Sequence, residues 1–336
     1  MDPSVSSPNA VEGGVERRTV LKAAGVVGLA AAAGATVLAE SAQAASQNVD
    51  FWISIGNART VDGNPSKITI TVEVGNAGTE AATQPVRVIL ITPYYANFDH
   101  AARPYFLFNR YIVQNADPAV PEMMELIIPA AKLGVHQGEK FDVGLDLLQD
   151  GPRLFDMMSG YVLAGGDTET SLLNNEAIAS VDVPIGPPLS LPPGRNPVNF
   201  FFISETALLR TGQTANQVIK VGAVDAMPAL NTARFIYVSP YRAKINRNVA
   251  PGNWTFLHSE TDVRIPDVVS IPVSPLNLIP NLPIGSLLAI NIPLVASDRA
   301  LACRGGKGFL AVSATGSDFD VQPQIAMGRI ATIQPI

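Results

Sequence analysis

The sequence predicts an all-β protein built from two β-sandwich domains in tandem, behind a cleaved N-terminal signal peptide. Three observations predict this fold class. Many short segments alternate apolar and polar residues with a period of two and end at glycine or proline. The second half of the chain repeats the first with a shift of about 147 residues. The first 44 residues carry the charged, apolar and small-residue regions of an export signal.

Residues 1–44 are predicted to be the signal peptide. A weakly apolar run over 23–38 follows two arginines, and Ala42-Gln43-Ala44 places small residues before a cleavage point at Ala45. The segment Glu16-Arg17-Arg18-Thr19-Val20-Leu21-Lys22 resembles the twin-arginine export signal, Ser/Thr-Arg-Arg-x-Phe-Leu-Lys, with departures at its first and fifth positions. The resemblance implies a bacterial protein that is exported in a folded state to the periplasm or the extracellular space.

Changing Arg17 and Arg18 together to lysine is expected to stop export, because the twin-arginine route depends on the arginine pair. The measurement is the amount of mature protein, with Ala45 as its first residue, found outside the cytoplasm of the native host. A Lys22→Arg variant leaves the pair intact and serves as the control. Normal secretion of the double variant would assign the protein to the general secretory route instead.

The mature chain is predicted to hold two domains, 46–185 and 198–336, joined by a linker over 186–197. Five of the twelve linker residues are proline, which removes backbone donors and favours extended polyproline geometry. The linker is therefore expected to be a semi-rigid spacer between the domains.

The elements within each domain are predicted from local pattern and from the repeat. Strands are predicted where the alternation is clearest, at 68–74, 86–90, 141–147 and 288–294. The repeat aligns Val88–Tyr94 with Phe235–Tyr241. A short helix is predicted before the penultimate strand of each copy, over Asp150–Met158 and Ser297–Cys303, because each segment begins with a good N-cap residue.

One segment of the first copy carries a family resemblance. The alternating strand from Ile68, the Asn-x-Gly turn at Asn76–Gly78 and the second alternating strand at Val86–Leu90 resemble bacterial CARDB-type and related immunoglobulin-like modules. The resemblance implies an immunoglobulin-like topology for each sandwich. It also implies an exported adhesion or binding module, not an enzyme.

Composition and motifs exclude several classes of function. A net charge of −6 argues against nucleic-acid binding, which needs a basic surface. The single cysteine, Cys303, can form no internal disulfide and is predicted to be a passive, partly buried thiol. No apolar run beyond the signal is long enough to span a membrane, so no transmembrane anchor is predicted.

Catalytic and metal-binding patterns are also missing from the sequence. None of the three histidines has a second ligand at metal-binding spacing, and no nucleophile elbow occurs. Asp142 and Asp146 are spaced like a pair of catalytic carboxylates, but the second copy has Ala289 and Pro293 there. We therefore predict a solvated strand face, with no catalytic residue, no metal site and no cofactor.

The unusual segment is Tyr94–Tyr111, where aromatic residues alternate with Arg and Asn. Three of its aromatics have counterparts in the second copy and are predicted to be core residues, namely Tyr94, Phe106 and Phe108, which align with Tyr241, Trp254 and Phe256. The aromatic and basic residues predicted to form a binding surface are Tyr95, Tyr105, Tyr111, Arg103 and Arg110. The alternative is that these side chains fill the interface between the two domains.

These observations predict an exported, non-enzymatic binding or structural module of the bacterial cell envelope or the extracellular space. Its partner would be a protein or a carbohydrate at the envelope, because aromatic faces beside arginine suit both. Two alternatives stay open. One is a subunit that self-assembles into homo-oligomers through exposed strand edges. The other is an enzyme or cofactor carrier exported by the twin-arginine route, with a site that the sequence does not reveal.

Overall fold

The alternating segments form strands in the computed structural model of the protein, which describes residues 49–61, 63–94, 96–114, 117, 119–147, 155–165, 169, 171–172, 174–182, 200–204, 207–209, 212–223, 230–274, 287–296, 306–314, 325–327 and 330–332. The predicted signal peptide, the predicted linker and Cys303 lie outside these residues. All described residues belong to one compact unit, Asn48–Ile336.

The described strands fall into two sets, one in each half of the chain. The first half contains β1 (Phe51–Ile55), β2 (Arg59–Val61), β3 (Asn64–Asn76), β4 (Val86–Ile91), β5 (Ala96–Phe98), β6 (Phe108–Val113), β7 (Met123–Ile128), β8 (Gly138–Leu147), β9 (Phe155–Leu163) and β10 (Glu176–Asp182), with a 3-10 helix at Ala130–Lys132. The second half contains β11 (Phe200–Ser204), β12 (Ala207–Leu209), β13 (Thr214–Ala223), β14 (Leu230–Val238), β15 (Ala243–Ile245), β16 (Thr255–His258), β17 (Val268–Val273), β18 (Leu288–Ala296), β19 (Lys307–Ala314), β20 (Ile325–Met327) and β21 (Ile330–Thr332).

The strand order of the first half is that of an immunoglobulin-like sandwich. One sheet has the order β1-β3-β8-β5, with β2 also paired to β3, and the other has the order β10-β9-β4-β7-β6. These orders correspond to strands A-B-E-D and G-F-C-C′-C″ of the immunoglobulin fold. The chain departs from that fold in its connectivity. Strand β5, in the D position, precedes β6 and β7 in sequence, and β6, in the C″ position, precedes β7 in the C′ position.

The second half has the same order in both of its sheets. One sheet is β11-β13-β18-β15, and the other, written in the same direction as its counterpart, is β20-β19-β14-β17-β16. In addition, β12 pairs in parallel with β21. The registers also agree, because Leu90 lies opposite Gly160 and its repeat counterpart Tyr237 lies opposite Gly308. The predicted fold class, two tandem immunoglobulin-like sandwiches, is therefore confirmed.

Glycine recurs at this position because the sandwich core leaves no room for a side chain. A Cβ on Gly308 would overlap the ring of Phe235, and a Cβ on Gly160 would approach Ile53 Cδ1 to 2.8 Å. The repeat therefore preserves a packing requirement at Gly160 and Gly308.

Each half has its own apolar core between its two sheets. In β3 the inward residues are buried and the intervening ones are partly exposed, as the alternation predicts: Ile68, Ile70, Val72 and Val74 are at most 2% exposed. The second core is built in the same way around Ile219, Phe235 and Ile292. Asn76 closes the turn after β3, where its Oδ1 accepts hydrogen bonds from the amides of Asp50 and Gly78.

A third core lies between the two halves. The strands β4 and β14 are buried on both faces, so that Val88 and Phe235 point into the cores of their own halves while Ile89 and Ile236 point toward the other half. The residues of this shared core are Ile89, Ile91, Tyr94, Val113, Ala119, Val120, Met123, Tyr161, Leu163, Ile236, Val238, Tyr241, Ile265 and Val268. Apolar burial thus joins the two sandwiches directly.

The prediction of a helix over Asp150–Met158 is wrong at its C-terminal end. Residues Phe155–Met158 belong to β9 and pair with β10. The pairing partners of a central strand outweigh a local capping signal, because burial and ladder hydrogen bonds stabilise the strand along its whole length. The remainder of this predicted helix, and all of the one predicted over Ser297–Cys303, lies outside the described residues.

Candidate binding surface

The predicted binding residues that the structure describes, Arg103, Tyr105, Arg110 and Tyr111, lie on the loop 99–107 and on the flanking strand β6. Asp99 starts the loop, because its Oδ1 accepts a hydrogen bond from the Ala101 amide at 2.9 Å. A β-turn follows, in which the Leu107 amide donates to the Pro104 carbonyl at 2.9 Å. Pro104 and Leu107 are buried, while Tyr105 and Phe106 between them are 61% and 76% exposed. The turn therefore holds two aromatic rings out into solvent.

The loop is braced against β8 by one contact that the second half repeats and by others that involve residues of the first half. The Asp99 amide donates to the Gly144 carbonyl at 2.8 Å, as the Asn246 amide donates to the Pro293 carbonyl at 2.8 Å in the second half. Lys67 Nζ also lies 2.6 Å from Asp99 Oδ2. A Cβ on Gly144 would lie 2.9 Å from the Cβ of Ala102, so only glycine allows the loop this close.

Arg103 connects the turn to β6. Its guanidinium carbon lies 4.7 Å from the ring centre of Tyr105 and 4.3 Å from that of Phe108, so the cation lies against two aromatic faces. No described carboxylate lies within ion-pair distance of Arg103. The positive charge at the base of the turn is therefore balanced by aromatic rings and not by an acid.

Tyr111 lies deeper, behind the exposed turn. Its ring stacks on His100 with 4.5 Å between ring centres, and it also contacts Phe108 at 5.0 Å. Burial raises the pKa of Tyr111, and the nearby Arg103 opposes that shift only in part. The Tyr105 hydroxyl donates to the His100 carbonyl at 3.4 Å. Tyr111 thus supports the exposed rings from below.

A buried carboxylate fixes the base of the loop. Glu122 is 2% exposed, and its Oε2 accepts a hydrogen bond from the Phe98 amide at 2.8 Å. Burial raises the pKa of Glu122, while the Phe98 amide and His100, whose Nε2 lies 3.6 Å away, oppose the shift. The second half repeats the bond with Asp267, which accepts from the Ile245 amide. Since both halves have it, this carboxylate is part of the framework.

Arg110 is directed away from the turn, toward the second half. Its Nε donates to Glu125 Oε2 at 2.8 Å, and its Nη2 lies 2.8 Å from Glu260 Oε1. Burial works to raise the pKa of Glu125, but hydrogen bonds from Arg87 and Arg110 outweigh it and hold that pKa below its usual range. Arg87 in turn reaches Asp262 at 2.7 Å. Arg110 therefore belongs to an ion-pair network between the halves.

The structure brings together three of the five predicted residues, Arg103, Tyr105 and Tyr111. It places Arg110 in the interface between the halves, and Tyr95 lies outside the described residues. The prediction of Phe106 as a core residue is wrong, because its side chain is 76% exposed. Phe108 is partly buried against the first core, in line with its repeat counterpart.

The second half lacks the exposed rings although it keeps part of the arrangement. Arg247 lies over the ring of Phe256 at 4.2 Å, much as Arg103 lies over Phe108. Trp254 packs against the second core in the place of the buried Leu107, since both amides donate to the proline three residues before them, and the exposed Asn253 takes the place of Phe106. The cation–aromatic contact is therefore shared packing, and the pair Tyr105 and Phe106 is the feature that belongs to the first half alone.

No group of three His, Cys, Asp or Glu side chains among the described residues is placed to hold a metal ion. Within the same residues no helix has the length and apolar character needed to cross a membrane.

Comparison with known proteins leaves the family open. No protein-family model matches the chain, and no curated protein matches it. Among solved structures, the C-terminal domain of the antigen I/II-family protein AspA from Streptococcus pyogenes is similar at 10% identity and a TM-score of 0.24, over 83% of this chain and 99% of that one. The collagen adhesin CNA from S. aureus is similar at 10% identity and a TM-score of 0.20, over 85% and 93%.

A red sea bream transglutaminase is similar at 12% identity and a TM-score of 0.21. That match covers 96% of this chain but 34% of the transglutaminase, so this chain spans about a third of its length. TM-scores this low carry no functional inference.

Proposed function

We propose that the protein is an exported, non-enzymatic binding module that acts at the cell envelope or outside the cell, and that it holds its ligand on the exposed turn of the first half. The observation that carries the proposal is the pair Tyr105 and Phe106. Several large apolar side chains are exposed among the described residues, and of these only Tyr105 and Phe106 are aromatic. A folded domain gains nothing in stability from such exposure, so a function is the better explanation.

The chemistry of the turn suits a carbohydrate. The two rings offer flat apolar faces on which a sugar ring can stack, and their two side-chain torsions each leave little entropy to lose on binding. At the edge of the rings Arg103 adds hydrogen-bond donors, and the Tyr105 hydroxyl, which donates to the His100 carbonyl, adds an acceptor. The braced loop holds these groups in place before binding, which limits the cost of ordering them.

The test is a glycan array with the mature protein, followed by affinity measurement on the glycan that binds. A Tyr105→Ser/Phe106→Ser variant is expected to lose at least tenfold in affinity with little change in stability, because both side chains are already in water. A Val135→Ser/Val249→Ser variant is the matched control, since it removes two exposed apolar side chains elsewhere. That control is expected to bind normally.

Two outcomes would contradict the proposal. The first is full binding by the Tyr105→Ser/Phe106→Ser variant, which would place the ligand on another surface. The second is the absence of any glycan ligand together with capture of a protein from envelope extracts by the exposed turn, which would make the module a protein-binding one.

A further inference from the structure

The two halves contact each other through ion pairs that are related by the internal repeat. Arg87 of the first half pairs with Asp262 of the second at 2.7 Å, and Arg234 of the second half pairs with Asp117 of the first. Arg87 and Arg234 occupy the same position, one residue before Val88 and Phe235, which the repeat aligns. Each half thus offers the other the same arginine.

The two aspartates are equivalent in their local geometry as well. The Oδ1 of Asp117 accepts a hydrogen bond from the Ala119 amide at 3.1 Å, and its backbone carbonyl accepts one from the Val120 amide at 3.0 Å. Asp262 does the same with Arg264 at 3.0 Å and Ile265 at 3.1 Å. The same turn therefore presents a carboxylate to the other half in both copies.

The repeated tyrosines cross the interface in both directions. The Tyr94 hydroxyl donates to the carbonyl groups of Ile236 at 3.3 Å and Lys307 at 3.1 Å in the second half. The Tyr241 hydroxyl donates to the Val162 carbonyl of the first half at 3.0 Å. Tyr94 and Tyr241 are repeat counterparts, and both are at most 2% exposed. Each tyrosine reaches across to backbone carbonyls of the opposite half.

Reciprocal contacts of this kind define a two-fold, isologous interface, in which residue i meets j and the equivalent of j meets the equivalent of i. We propose that the surface between the halves is a dimerisation surface of the repeat unit, through which the first half recognises the second as a partner independently of the linker at 186–197. The shared apolar core and the buried tyrosines supply affinity, and the ion pairs fix orientation.

Contacts without a repeat counterpart favour the mixed pair over a pair of two first halves. Lys307 is 4% exposed, and its Nζ donates to the Thr92 carbonyl at 2.8 Å. Ser159 is at the corresponding position of the first half. It lies opposite Ile91 in the sheet, and Lys307 lies opposite Val238, the repeat counterpart of Ile91. A pair of two first halves would therefore lack this bond. It would also lack Glu260, the partner of Arg110.

The experiment uses the full mature chain with a specific protease site in place of Leu189–Pro193. After cleavage, the two fragments are expected to migrate together in size-exclusion chromatography with light scattering. Native mass spectrometry is expected to show one species that contains one first half and one second half. Fragments that separate at micromolar concentration, or pairs of identical halves, would overturn the proposal.

Charge variants in the cleavable chain test the reciprocal contacts. Arg234→Glu is expected to weaken association of the cleaved halves at least fivefold, because it places two acids together at Asp117. Adding Asp117→Lys is expected to restore part of that loss. Lys67→Glu is the matched control, since it breaks ion pairs within the first half, with Asp99 and Asp146, and is expected to leave association unchanged. An Arg234→Glu variant that associates as tightly as the parent would refute the assigned interface.

Discussion

Replacing Tyr94 with alanine is expected to lower the free energy of unfolding by about 3–5 kcal/mol, as large-to-small changes at buried aromatic residues do. Tyr94 is 1% exposed in the core between the halves. The change leaves a cavity there and removes the donor from the carbonyl groups of Ile236 and Lys307, which would stay buried without it. Urea denaturation followed by circular dichroism measures the loss.

Tyr105→Ala is the matched control for this prediction. It removes the same side chain eleven residues along the same segment, but from a position that is 61% exposed. Its expected effect is within about 0.5 kcal/mol. Tyr94→Phe keeps the ring and is expected to lose about 1–2 kcal/mol for the lost hydrogen bonds of the hydroxyl. A Tyr94→Ala variant as stable as Tyr105→Ala would mean that the halves do not depend on their shared core.

The strands and their register could be predicted from the sequence because a buried strand face leaves a period of two. The segment at 68–74 shows this most clearly, since apolar residues point into one core and polar ones toward solvent. The repeat supplied a second constraint. It aligned Leu90 with Tyr237 and Gly160 with Gly308, and the pairing of β4 with β9 matches that of β14 with β19.

The core between the halves was less evident, although the sequence contains a sign of it. Strand β4 ends in the continuous apolar run Val88-Ile89-Leu90-Ile91, and its counterpart in β14 is likewise apolar at Phe235-Ile236-Tyr237-Val238. Uninterrupted apolar strands are typical of burial on both faces. Sequence alone does not say what covers the second face. It therefore predicts that Tyr94 is a core residue but does not identify the core between the halves, in which Tyr94 lies.

Phe106 marks the limit of the repeat as a guide. Aligned residues share a position in the chain, but the direction of a side chain in a turn depends on local backbone geometry. In the structure the Leu107 amide donates to the Pro104 carbonyl and the Trp254 amide donates to the Pro251 carbonyl, so Trp254 corresponds to the buried Leu107 and Phe106 to the exposed Asn253. Proline favours the second position of such turns, whereas Pro104 occupies the first, so it does not mark Phe106 as a turn residue.

Glu169 is expected to make the protein less stable as the pH rises from 5 to 8. Burial raises the pKa of Glu169 to about 7, although the Asn175 amide, whose Nδ2 donates to both carboxylate oxygens at 2.8 and 2.9 Å, and the charge of Arg242 oppose the shift. In the unfolded chain the same group has the ordinary value of 4.5. The folded state therefore binds the proton more tightly than the unfolded state does.

The sign of the effect follows from proton linkage. Stability falls with rising pH wherever the folded state holds more protons than the unfolded state. For Glu169 the contribution is fully present below pH 4.5 and is lost as the pH passes through about 7. The difference in pKa corresponds to about 3 kcal/mol between these limits, at about 1.36 kcal/mol for each unit.

A Glu169→Gln variant isolates this contribution, because glutamine keeps an acceptor for Asn175 and cannot ionise. The variant is expected to match the parent near pH 5 and to be more stable by up to about 3 kcal/mol near pH 8. Glu80→Gln, at an exposed glutamate of the same half, is the control and is expected to follow the parent at every pH. The comparison also cancels the contributions of other groups with shifted pKa values, such as Glu122, whose pKa burial raises, and His258, whose pKa burial lowers. Parallel urea-denaturation profiles for the parent and Glu169→Gln from pH 5 to 8 would show that Glu169 ionises freely in the folded protein.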